Sequence, residues 1–183
     1  MQIVRSALLV AALAMPALTA GQVATDQETA AHVVHSSGGR SPFLDKVRNA
    51  TERFRDVRHA APDYVPIMGC VSGPQEGAMG VPYLNPNLLD TTLNAEEPEA
   101  LIYEFANGVA RLVGVEYLVI ADVWHQTHPA QDVPVLEGQL LQFVESPNRF
   151  GLPAFYELHA WAWRNNPHGA FVDWNRRVSC EGQ

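Results

Sequence analysis

Residues 99–121, EALIYEFANGVARLVGVEYLVIA, leave this chain little freedom. Asn107-Gly108 stands between two runs rich in Leu, Ile, Val, Tyr and Phe. That dipeptide takes the positive backbone angles that a two-residue hairpin loop requires, so two antiparallel arms are expected. With Asn107 and Gly108 as the loop, Glu104 falls opposite Arg111. An unbroken ladder then puts Leu101, Tyr103, Phe105, Leu112, Gly114 and Glu116 on one face. Ile102, Glu104, Val113, Val115 and Tyr117 take the other. Both faces carry apolar groups, so the hairpin is expected to be covered on both sides. Each arm also places one carboxylate in an apolar run. Arg111 is the expected partner of Glu104, whereas Glu116 has no countercharge in its own hairpin. A buried carboxylate needs a cation, a metal or a proton.

The compartment is read from the start of the chain. Residues 1–20 have the form of a secretory signal: Arg5 is basic, 7–14 (ALLVAALA) is apolar but too short to span a bilayer, and small residues follow. Cleavage near Ala20 removes Arg5 and leaves 11 basic against 20 acidic residues, a net charge of −9. That balance argues against nucleic acid or an anionic membrane surface as the partner. No later stretch is long and apolar enough for a transmembrane helix, so no integral membrane segment is expected. Cys70 and Cys180 are the two cysteines of the chain, and in an exported protein they are expected to pair. The expected location is periplasmic or secreted. The oligomeric state is left open.

The rest divides by its punctuation. Residues 21–40 end in Ser-Ser-Gly-Gly and lack an apolar period, which reads as a flexible leader. Residues 41–183 are expected to form a single globular α+β domain, with an N-terminal amphipathic helix packed on a small antiparallel β-sheet. That helix is read over 41–60: Ser41 caps it, Pro42 suits its first position, and Phe43, Val47, Ala50, Phe54 and Val57 make one stripe. Residues 63–87, rich in Gly and Pro, read as a long ordered loop with a short strand starting near Met79. Residues 122–134 read as a loop carrying His125 and His128. Residues 135–145 read as a strand, or as two strands broken at Gly138. Residues 152–165, LPAFYELHAWAWRN, fit either a helix with Pro153 in its first turn or a strand with Phe155, Glu157, His159, Trp161 and Trp163 on one face; helix is the expectation.

These segments assemble into a pattern: GAMG, PEALIYE, LVGVEY, LHAWAW, NPHGAF and VSC. The pattern resembles a family of small exported bacterial proteins of unknown function, over roughly residues 43–180. The resemblance implies no cofactor or substrate. It implies a histidine at position 82, where this chain has Pro82, so one potential ligand is missing here.

The expected function is an exported domain that binds a small ligand or a divalent metal ion. Glu116 and His159 lead the candidates, followed by Glu104, Glu157 and Tyr156. Carboxylate and imidazole donors together suit zinc, manganese or iron, although no HExxH, HxH or CxxC spacing fixes a geometry. One alternative is a hydrolase-like enzyme, with His159 as base, Glu116 orienting it and Ser72 as the available hydroxyl. Another is a structural or interaction protein of the cell envelope that uses Trp161, Trp163 and Trp174 as contact or core aromatics.

Overall fold

The structure, a computed structural model, describes residues 41–73 and 75–182. The expected signal and leader over 1–40 lie outside the described residues. The rest is mainly antiparallel sheet with one short helix packed on it. Helix α1 spans Pro42–Thr51, and the strands are β1 (Val65–Pro66), β2 (Val71–Gly73), β3 (Gly77–Leu84), β4 (Ala100–Ala106) and β5 (Val109–Ile120). A helical turn, α2 (Ala121–Trp124), precedes β6 (Val135–Leu136), β7 (Gln139–Leu140), β8 (Gln142–Val144) and β9 (Phe155–Ala160). The main sheet has seven strands in the order β1-β3-β4-β5-β9-β8, with β2 paired to β3. Strands β6 and β7 form a separate hairpin.

The central hairpin forms around its expected loop. Asn107 has φ 53° and Gly108 φ 74°, both in the left-handed region that this turn demands. Glu104 pairs with Arg111, but the ladder does not continue unbroken. Tyr103 pairs with Leu112 and Ile102 with Gly114, so Val113 is an extra residue in β5. This bulge corrects the expected faces. Beyond it Leu101 pairs with Val115 and Ala100 with Glu116. Glu116 therefore leaves the Leu101–Tyr103 face and joins Ala100 and Ile102 on the other.

Three further expectations are corrected. The helix is shorter than 41–60: after Thr51 the chain tightens into 3-10 turns at Glu52–Arg55 and Val57–His59. Asp56 separates the two turns, because it is extended (φ −93°, ψ 109°) and its carboxylate accepts from the Arg58 amide. The 63–87 loop contains the eight-residue strand β3, whose Val81 to Leu84 pair with β4. Residues 155–160 form a strand, not a helix. The twelve-residue β5 carries β4 on one edge, and β9 pairs along its other edge from Val115 to Ile120. Strand pairing outweighs the helical preference of Ala, Glu and Leu there.

One face of the sheet carries the main core. Phe43, Val47 and Phe54 from the helical segment cluster with Tyr103, Val115 and Tyr117. The Phe43 and Tyr117 rings lie 5.8 Å apart. Three buried phenols there have backbone acceptors: Tyr64 donates to Pro98 O, Tyr103 to Phe54 O and Tyr117 to Ala95 O, at 2.6–2.8 Å. The other face has a smaller cluster of Ala78, Ile102, Val113, Trp161 and Val178, with the Cys70–Cys180 disulfide packed against it. The C-terminal segment is tied down there by the disulfide and by pairing of Asn175 with Ala78. Among the described residues, no helix is long and apolar enough to cross a membrane.

Candidate metal centre

The site is a product of strand register. Glu116 of β5 lies directly opposite His159 of β9, and Leu118 lies opposite Glu157. Directly opposed residues share a sheet face, and residues two apart on one strand share it too. Glu116, Glu157 and His159 therefore converge on the face away from the main core. One ligand atom from each lies within 4.8 Å of the others. All three residues are buried, His159 to 2 % exposure. Gly114, two residues before Glu116, makes room for their cover: a Cβ there would stand 3.2 Å from the Trp161 ring and 3.0 Å from Ala160 O. Trp161 stacks beside His159 with centroids 6.1 Å apart.

The electrostatics are unusual for a stable interior. Nε2 of His159 lies 3.9 Å from Glu116 Oε2, and Nδ1 lies 3.8 Å from Asp173 Oδ1. Both separations are too long for hydrogen bonds, and neither ring nitrogen has a partner; nor does Oε2 of Glu157. Glu116 and Glu157 bring two buried carboxyls to one small volume, where each is easier to bury with a proton than without one. Burial raises both: Glu116 to about 7, and Glu157 to about 9 with further help from the Glu116 charge. A cation between them can replace that proton.

The remaining sequence candidates lie elsewhere. Glu104 is on the same sheet face, but Arg164 rather than Arg111 is its cation, and the Ser179 amide donates to its other oxygen at 3.1 Å. Tyr156 is on the opposite face from Glu157; its ring packs on Phe143 and its hydroxyl meets His125 Nε2 at 3.0 Å. His128 stacks on Trp124 at 3.5 Å. Ser72 is exposed in β2, and its carbonyl accepts from Arg149. Two participants escaped the sequence reading. Asp173 reaches His159 from a loop with no periodicity to mark it, and Gln142 of β8, opposite Glu157, donates to Asp173 at 3.3 Å.

Pro82 lines a hollow that also touches Glu116, Leu118, Met79 and Phe155. Its volume of about 20 Å³ has room for about one water molecule. No protein-family model, curated protein or solved structure matches this chain. What the protein does has to be read from these side chains.

Proposed function

We propose that this chain is an exported metal-binding protein, and that Glu116, Glu157 and His159 are its ligands. The observation that carries this reading is the buried imidazole without a hydrogen bond, set against two buried carboxyls. A buried polar group left without a partner costs about 1–3 kcal/mol. Three such atoms on Glu157 and His159 are hard to explain as packing, and Glu157 Oε2 with one ring nitrogen is easy to explain as part of a ligand set. A tetrahedral ion with bonds of about 2.0–2.2 Å spaces its ligand atoms about 3.4 Å apart, so a small side-chain contraction would seat it. Two carboxylate oxygens and an imidazole nitrogen suit Zn²⁺, Mn²⁺ or Fe²⁺. The size of the adjoining hollow favours an ion or a water over an organic ligand.

Export is supported by the signal-like residues 1–20 and by the Cys70–Cys180 disulfide. The test is elemental analysis of natively purified protein, followed by thermal melts with Zn²⁺, Mn²⁺ and Fe²⁺. A ligand at a hundred times its Kd stabilises by about 2.7 kcal/mol. Glu116→Gln and His159→Gln should each abolish that gain. Absence of bound metal, together with no stabilisation by any of the three ions, would remove the proposal.

A further inference from the structure

Asp173 approaches the site from outside the strands. It belongs to the stretch that returns over the sheet after β9, where Asn166 donates to Trp174 O and the Trp161 amide donates to Ala170 O. Its carboxylate stands at the Nδ1 edge of His159, and Glu116 stands at the Nε2 edge. The two acids thus address opposite nitrogens of one ring. A neutral imidazole carries hydrogen on one nitrogen and a lone pair on the other, and the group facing the first decides which. A carboxylate that accepts can take hydrogen only from the nitrogen it faces. A cation held by Glu116 and Glu157 needs a lone pair on Nε2, so with the cation in place the ring hydrogen belongs on Nδ1, toward Asp173. The lone pair is then left on Nε2, on the side of Glu116.

We propose that Asp173 is the positioning carboxylate of the metal centre, setting the His159 tautomer so that Nε2 is the ligating atom. The proposal rests on the metal-binding reading above and adds a residue that is not itself a ligand. Metal-bound histidines commonly give their second N–H to a carboxylate, which fixes the ring and raises its basicity. Gln142 anchors Asp173 through its side-chain amide. The Asp173 side chain is 30 % exposed and that of His159 is 1 % exposed, so Asp173 also connects the enclosed ring to solvent. The Nδ1 gap is slightly longer than a hydrogen bond, and it closes when a cation fixes the ring from the other edge. Glu116, Glu157, Asp173, Gln142 and Trp161 are the groups that surround His159.

The experiment uses full-length oxidised protein labelled with ¹⁵N-histidine, with Zn²⁺ as the probe. Zn²⁺ affinity is measured by competition with a chelating dye. The His159 tautomer is read from its ring ¹⁵N shifts, with and without Zn²⁺. Asp173→Asn should weaken Zn²⁺ binding about 10- to 100-fold and erase the preference for Nδ1–H. Asp173→Glu should restore part of both, and Gln142→Ala should lose less than Asp173→Asn. These two milder variants decide the matter if Asp173→Asn does not fold. Unchanged affinity in Asp173→Asn, or an Nε2–H tautomer in the Zn²⁺-bound parent, would overturn the role of Asp173. If the parent binds no Zn²⁺, the metal reading fails. The role of Asp173 falls with it, whereas Zn²⁺ binding by the parent with unchanged affinity in Asp173→Asn removes that role alone.

Discussion

Glu104 and Glu116 sit on the two arms of one hairpin and point to the same side of the sheet, yet they are treated oppositely. Glu104 has a guanidinium on one oxygen and a backbone amide on the other. Glu116 has no cation; it faces a second carboxyl and an imidazole whose nitrogens are unsatisfied. The core face gives its own buried acid a backbone partner without a cation: Glu99, 1 % exposed, accepts from the Leu118 amide at 3.1 Å. The chain therefore satisfies buried carboxyls where they serve the fold. It withholds partners at one place only among the described residues, and that place is where three ligand atoms meet.

The contrast can be broken or sharpened by experiment. The largest expected effect comes from the cover of the site face. Replacing Cys70 and Cys180 together by Ser opens a link spanning 110 residues. Its loss should cost at most about 4–5 kcal/mol. Urea melts measure that cost, and hydrogen exchange should show residues 170–180 opening first. Exchange that accelerates evenly over the whole sheet would show that the bond does not hold the cover in particular.

Next is Arg164→Ala, which leaves Glu104 buried without its cation. About 3 kcal/mol should be lost, the lower end for a broken buried pair because Arg164 is one-third exposed. Adding Glu104→Gln should recover part of it, and strict additivity would mean that the pair is not coupled.

Glu99 gives an effect that is smaller over any one pH unit and is spread over several. Burial lifts its carboxyl from an ordinary 4.5 to about 8, so the folded state holds the proton more tightly than the unfolded chain. Its contribution to stability is complete below about pH 4.5 and is lost as pH rises through 8. The slope in that window is at most about 1.4 kcal/mol per pH unit. Melting temperatures taken from pH 5 to 9 should decline, and Glu99→Gln should flatten the decline. An equally steep decline in the variant would assign it to other groups.

The smallest effect is the most telling. In metal-free protein Glu116→Gln should change stability by about 1 kcal/mol or less, the scale of one hydrogen bond. A loss approaching that of Arg164→Ala would place Glu116 among the structural carboxyls and erase the contrast with Glu104.

The hairpin could be read because one dipeptide, Asn107-Gly108, specifies its loop, and its Glu104–Arg111 register follows at once. The bulge could not. Val113 is one Val among several, and nothing local marks it as the extra residue. The same limit explains β9: Phe155 to Ala160 satisfies helical and strand patterns equally, and the choice is made by the open edge of β5. His159 and Glu116 were legible individually as polar residues in apolar runs. Their convergence with Glu157 required the register, and Asp173 required the return of the chain over the sheet.

Between Arg111 and Glu116 the chain takes five steps, whereas β4 takes four between their partners Glu104 and Ala100. That odd count, rather than any side chain, assigns Glu116 to its side of the sheet. Point substitutions can alter what the carboxylate does, but none can carry it across to Tyr103. Removing Val113 would leave Glu116 paired with Ala100 over a straight ladder. Inserting one residue after it would have to be absorbed as a second bulge, or else would turn the acid toward the phenols. The location of this site is inherited as a parity, and it is far more exposed to an inserted residue than to substitutions.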